Sequence, residues 1–268
     1  MPFAESNGVT LCYEVHGVGP NLVLIEGIGY HSWMWYRQLP ALSDQFRVLV
    51  YDNRGVGKSD KPPGPYSHQQ NADDLAGLLD HLGWQRAHVL GVSMGGFIAQ
   101  EFALKYPERV DRLVLACTAF GGPNMVPLPM EAIRALTPDM TLPPRERYRR
   151  AMPVAFADRS WPEKHPAEFE QILDWREEHV QPPEAALAQM QAGFTFNTEQ
   201  RLGQITAPTL VVAGDMDGVV PVRNAELLAE RIPGAKLDLI PNAGHLVIIE
   251  DADRFNGDVI KFLTSSES

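Results

Sequence analysis

Gly91-Val92-Ser93-Met94-Gly95 decides how this chain folds, because of what stands on either side of it. Residues 87–90, Ala-His-Val-Leu, form a short apolar run of the strand kind, and from Gly96 the chain reads as helix as far as Tyr106, where Pro107 stops it. A G-x-S-x-G element between a strand and a helix lifts a serine hydroxyl above the sheet edge. The glycines let the backbone turn sharply without side-chain clashes, and the helix directs its positive end at developing negative charge.

Outward from that element the same alternation repeats. Strand-like runs occupy residues 22–25, 46–50, 113–116, 210–213 and 236–240, and helical patterns occupy residues 71–82 and 222–232, with a terminal helix through Phe262. Continuous apolar strands imply a sheet covered on both faces, and their alternation with helices implies mostly parallel order with right-handed crossovers. Residues 2–5 and 9–16, joined at Asn7-Gly8, read as an opening antiparallel hairpin. The rhythm breaks over residues 121–200, where Pro, Met, Trp and charged helix formers replace the strands. The expected organisation is one α/β core of residues 1–120 and 201–268, with residues 121–200 inserted as a helical cap.

A serine hydroxyl attacks at neutral pH only if a base takes its proton. Among eight histidines, His245 stands in the loop Pro241-Asn242-Ala243-Gly244-His245, beyond the strand at 236–240 and on the same sheet edge as Ser93. The imidazole in turn needs a carboxylate to fix its tautomer. Asp215 and Asp217 both follow the strand at 210–213 and both could reach, Asp215 having an alternative use as a turn former.

The order Ser93, Asp217, His245, together with Asp52-Asn53-Arg54-Gly55-Val56-Gly57-Lys58-Ser59, resembles the α/β-hydrolase superfamily, in particular its capped esterase and lactonase branch, of the 3-oxoadipate enol-lactonase kind. The resemblance covers nearly the whole chain outside the cap. It implies Asp217 as the acid, since Gly214, Asp217 and Pro221 match G-x-x-D-x-x-x-P, and it makes Arg54 a residue that fixes its loop. It also implies an oxyanion hole from the backbone amides of Ile28 and Met94. The chain departs from the family pattern at Glu26, where His is expected before Gly27. A charged carboxylate there would oppose an oxyanion, so Glu26 is expected to be neutral or paired, with His31 and Arg54 as the candidate partners.

Other chemistries fail on particular residues. Gly57-Lys58-Ser59 lacks the earlier glycine of a phosphate loop, where Asp52 stands, and Gly27-Ile28-Gly29 lacks the third glycine of a dinucleotide fingerprint, where Ser32 stands. No H-E-x-x-H, C-x-x-C or close histidine cluster occurs, so neither metal nor cofactor is expected. Cys12 and Cys117 lie inside strand-like runs and read as core thiols. A net charge of -11 argues against nucleic acid. The N-terminus shows no secretory pattern and no apolar run is long enough to span a bilayer, so a cytoplasmic protein without membrane partners is expected.

Trp33, Met34, Trp35 and Tyr36 follow the Gly27–Gly29 turn, and the cap supplies Met125, Met130, Met140, Met152, Phe156, Trp161, Trp175 and Phe194. Such residues line small-ligand pockets but also glue a cap to its base, and packing is given the larger share. The expected reaction is hydrolysis of a small to medium carboxylic ester or lactone through an acyl-enzyme. Carbon–carbon bond hydrolysis and cofactor-free perhydrolysis use the same triad, and a non-catalytic receptor could keep it. Ser93 in place of an elbow aspartate disfavours dehalogenase and epoxide hydrolase chemistry.

Overall fold

The computed structural model describes residues 1–137, 139 and 141–265; Met140 and the last three residues of the proposed core lie outside the described residues. Eight strands form one sheet in the order β1-β2-β4-β3-β5-β6-β7-β8. They are β1 (Phe3–Ser6), β2 (Val9–His16), β3 (Asn21–Ile25), β4 (Arg47–Tyr51), β5 (Ala87–Val92), β6 (Val110–Ala116), β7 (Thr209–Gly214) and β8 (Lys236–Ile240). β2 pairs antiparallel with β1 and β4, and every other pairing is parallel. The hairpin turn at Asn7-Gly8 carries positive φ at both residues, as its tight connection requires.

Helices cover both faces: α1 (Leu39–Ser43), α2 (His68–His81), α3 (Met94–Lys105), α4 (Met130–Leu136), α5 (Pro144–Ala151), α6 (Trp161–Lys164), α7 (Pro166–Glu178), α8 (Pro183–Thr195), α9 (Arg223–Arg231), α10 (Val247–Glu250) and α11 (Ala252–Thr264). Alternate residues of each inner strand serve the two sides. Val23, Ile25 and Val89 pack with Leu75 and Leu78 of α2, Ile98 and Phe102 of α3 and Leu228 of α9. Leu22, Leu24 and Leu90 pack with Trp35 and with Phe255 and Val259 of α11. Each such fully buried side chain is worth roughly 1.5–3 kcal/mol relative to exposure, which explains why these strands read as unbroken apolar runs.

Helix ends follow their sequence signals. Ser67 caps α2 by accepting from Gln70 N–H, and α7 and α8 open with proline in the first turn, where a missing N–H costs nothing. α4 to α8 all lie in the insertion between β6 and β7, and no named strand is among the described residues there; one isolated bridge joins Gly121 to Asn197. The insertion is not a separate body. Phe169, Ile172 and Leu173 of α7 enter the same apolar cluster as Trp35 and Phe255, and Phe156 and Trp161 stack at 4.5 Å within it. Phe194 and Met130, by contrast, are exposed.

Chain order reverses between β3 and β5, since β4 lies on one side of that pair and β6 on the other. The loops leaving β3 and β5 therefore diverge and open a crevice beyond the carboxyl ends of the strands, where open α/β sheets bind ligands.

Candidate active site

Ser93 stands on one lip of that crevice. Its backbone is at φ 56 and ψ -119, a conformation that a residue with a side chain adopts only when its surroundings enforce it. The enforcement is visible: Ser93 N–H donates to Ala116 O at 2.9 Å, and Ser93 O accepts from Thr118 Oγ1 at 2.7 Å. The two glycines of the motif are required by contact. A Cβ at Gly91 would lie 2.2 Å from Gly95 O, and one at Gly95 would lie 2.0 Å from Ile25 O. The tight turn thus seats the start of α3 against the end of β3.

His245 and Asp217 meet across the loops after β8 and β7, with His245 Nδ1 at 2.8 Å from Asp217 Oδ2. Asp217 Oδ1 accepts from Val219 N–H and Val220 N–H, each at 2.8 Å, so the carboxylate is aimed before the imidazole arrives. Asp215, the alternative acid, faces elsewhere: its Oδ1 accepts Asn242 N–H at 2.7 Å and ties the two loops together. Ser93 Oγ makes no hydrogen bond among the described residues.

Cys117, at φ 48 directly after β6, completes the surroundings of the pair. Its Sγ, a carboxylate oxygen of Asp217 and a ring nitrogen of His245 lie within 4.8 Å of one another, the one grouping among the described residues with donor atoms spaced as cation ligands are. Burial first, and the Asp217 charge second, push the thiol well above its usual range, so it stays a thiol rather than the thiolate that metals prefer. Both cysteines are buried, as the sequence suggested.

The loop Gly27-Ile28-Gly29 forms the opposite lip. A Cβ built on Gly27 would lie 3.4 Å from Ser93 Cβ, so the Ile28 amide follows a residue packed against Ser93, while the Met94 amide belongs to the open N-terminus of α3. Glu26, fully buried at the root of this loop, is not paired with His31 or Arg54. Its Oε1 accepts both Asn53 N–H and Asn53 Nδ2, each at 2.8 Å, and Oε2 has no partner. Burial, reinforced by Asp52, raises its carboxyl well above the usual range. The expected partners are engaged elsewhere. Arg54 makes a bidentate pair with Asp74 of α2 at 2.5 Å, fixing its loop as expected, and His31 Nε2 lies 3.4 Å from Trp175 O. Asp52 accepts from Ser32 N–H and Lys58 N–H, so the Asp52–Ser59 segment is a brace for the site and not part of a phosphate cradle.

A family model described as the alpha/beta hydrolase fold matches residues 20–252. The chain belongs to the α/β-hydrolase family. Among its relatives in that family, a 2-hydroxy-6-oxononadienedioate/2-hydroxy-6-oxononatrienedioate hydrolase of Burkholderia vietnamiensis is 36% identical over 264 residues, covering 94% of this chain and 90% of its own. RutD of Azorhizobium caulinodans, which carries the name carbamate hydrolase, is 30% identical over 262 residues and 98% of each chain. The crystal structure of the enol-lactonase from Burkholderia xenovorans LB400 superposes with a TM-score of 0.86 at 32% identity, over 98% of this chain and 100% of that one. This α/β hydrolase has no helix among its described residues long and apolar enough to cross a membrane.

Sequence reasoning missed Asn53 as the partner of Glu26, although Asn53 lies inside the quoted loop. It also missed two glutamines of the insertion, Gln181 and Gln189, which reach the Gly27–Gly29 and Arg54–Gly55 backbones. Gln189 and Gly29 are 160 residues apart, and no local signal links them.

Proposed function

We propose that this hydrolase opens small to medium carboxylic esters or lactones through an acyl-enzyme, with Ser93 as nucleophile, His245 as general base and Asp217 as orienting acid, beneath a cap formed by residues 121–200. The observation that carries this reading is the 2.8 Å bond between His245 Nδ1 and Asp217 Oδ2, on the same sheet edge as a serine held at φ 56. With Asp217 on Nδ1, the imidazole presents Nε2 as its free base. Nε2 takes the Ser93 proton as Oγ bonds to the carbonyl carbon, then returns that proton to the departing alkoxide. A water attacking the acyl-enzyme repeats the sequence and releases the acid. The amides of Ile28 and Met94 are the donors proposed for the oxyanion. Glu26 does not oppose them while it keeps its proton, so its departure from the family pattern is no obstacle to this chemistry.

Arg176 of α7 narrows the acid part of the substrate. Its guanidinium sits between the Tyr30 and Tyr148 rings at 4.2 Å from each, its Nε is buried without a hydrogen bond, and no carboxylate among the described residues pairs with it. A Cβ on Gly29 would lie 3.8 Å from its Nη2. A cation beside the proposed oxyanion loop favours substrates that carry a carboxylate. This also supports a second reading, hydrolysis of a carbon–carbon bond in a keto acid, since one relative is named for a dicarboxylate substrate.

The test is a panel of p-nitrophenyl esters, lactones and a 2-hydroxy-6-oxodienoate, each with and without a terminal carboxylate, on wild type and Ser93→Ala. A burst that Ser93→Ala abolishes supports acyl transfer, and the carboxylated members should react fastest. Turnover of the dienoate alone would favour the second reading. Turnover that survives Ser93→Ala would sink both.

A further inference from the structure

Gln189 of α8 is almost fully buried, at 1% exposure, and its amide is a junction of three chain segments. Oε1 accepts Gly29 N–H at 3.2 Å and Gln181 Nε2 at 2.9 Å, and Nε2 points to Arg54 O at 3.4 Å. Gln181 Nε2 also donates to Gly55 O at 3.1 Å. The Gly27–Gly29 loop is therefore held at both ends. At its root, Glu26 is locked to Asn53; at its tip, Gly29 is locked to Gln189, and both locks lead to the Asn53–Gly55 backbone. The Ile28 and Gly29 amides are joined through the Ile28 Cα, so fixing the Gly29 amide restricts the direction of the Ile28 amide.

We propose that Gln189 is a positioning residue for the oxyanion hole. Through Gly29 N–H it holds the Ile28 amide towards the developing oxyanion, so the insertion acts on the chemical step and not only on substrate enclosure. This rests on the Ser93 acyl-enzyme reading above. Without the amide, Gly29 N–H and Gln181 lose a buried acceptor and the loop is free to turn. Moving a donor by about 1 Å costs on the order of a hundredfold in rate, and removing one outright costs about 10²–10³. A loosened donor should fall between no effect and outright removal.

The experiment compares Gln189→Ala and Gln189→Glu with wild type on the best ester of the panel. It also measures affinity for an aryl boronic acid, whose tetrahedral adduct on Ser93 places an oxygen in the hole, and for the corresponding carboxylic acid product. The expected result for Gln189→Ala is a kcat about 10- to 100-fold lower with KM within about twofold, boronate affinity reduced by a similar factor, and product affinity unchanged. Gln189→Glu keeps an acceptor for Gly29 and Gln181 and should recover most of the loss. Should Gln189→Ala fail to show a native thermal transition, Gln189→Met, which keeps the side-chain length but offers Gly29 N–H no amide acceptor, decides, with the same loss expected. Near-wild-type kcat and boronate affinity for Gln189→Ala, or for Gln189→Met where the alanine variant does not fold, overturns the proposal, as does a loss confined to KM. If Ser93→Ala retains turnover, the acyl-enzyme reading falls instead, a result that Gln189 cannot produce.

Discussion

Two carboxyl groups stand out of water at the same edge of the sheet, Asp217 beyond the end of β7 and Glu26 directly after β3, and they are furnished differently. Asp217 receives three N–H donors, two from the Val219 and Val220 backbone and one from His245, shared over both oxygens. Glu26 receives two, both from Asn53 and both on Oε1, while Oε2 faces no donor and Asp52 adds repulsion. The first arrangement supplies donors to both oxygens; the second leaves one oxygen bare in a buried setting that raises the carboxyl above its usual range. Position at a strand end does not set the charge. Burial and the local supply of N–H groups act together, and they furnish the two carboxyls of one edge in different ways.

The largest effect in this comparison should come from taking the charge away from Asp217. Asp217→Asn keeps an oxygen for Val219 and Val220 but can turn an N–H donor towards His245, which favours the wrong tautomer. A kcat loss of about 10³–10⁴ is expected, with the fold intact by thermal unfolding. If steady-state kinetics show only a few-fold loss, another group orients His245 and the contrast with Glu26 has no catalytic meaning.

The Asp217 side of the contrast was legible in the sequence and the Glu26 side only half so. Strand runs, the G-x-S-x-G turn and the glycine, aspartate and proline spacing after β7 are local patterns. Periodicity and turn chemistry carry the strands, the turn at Ser93 and the loop of His245, while the choice of Asp217 over Asp215 rests on the family resemblance. Strand ends shifted by a few residues, as β5 and β6 extend beyond their most apolar stretch. Glu26 stands out as a departure that needs either its proton or a partner; the raised carboxyl agrees with the first, and the partner is the Asn53 amide in place of His31 or Arg54. Gln189 was beyond reach for a different reason. Its polar face is buried by packing between α8 and two distant loops, and a glutamine in a helix otherwise reads as a solvated residue.

A second effect, smaller, tests whether Glu26 is the acid described. Its carboxyl is raised in the folded state, so below the ordinary value of 4.5 it is protonated in both states and contributes fully. As pH rises above that, the unfolded chain releases the proton while the native protein keeps it, and stability falls until the native group ionises. Glu26→Gln carries no such proton. Its stability relative to wild type should improve with pH from 4.5 upward, by at most about 1.4 kcal/mol per pH unit. Urea unfolding of both proteins across that range reads the slope, and parallel curves would mean that Glu26 is ionised in the native state.

The smallest effect is expected at Asp215, next to the acid in sequence but facing away from it. Asp215 Oδ1 accepts Asn242 N–H, and Asn242, at φ 58, begins the turn that leads to His245. Asp215 therefore acts on the loop and not on the imidazole. Asp215→Asn keeps an acceptor oxygen and weakens a charge-assisted bond to a neutral one, a loss of about 0.5–1 kcal/mol in stability. Because the loop stays tied, kcat should remain within about twofold of wild type and its pH profile should not move. A shifted profile would mean that Asp215 contributes to the field at His245, and a kcat loss matching that of Asp217→Asn would transfer the acid to Asp215. Either result would place the decisive contrast between two neighbours on one loop, where it turns on which way each side chain leaves β7 and no longer on how many N–H groups surround it.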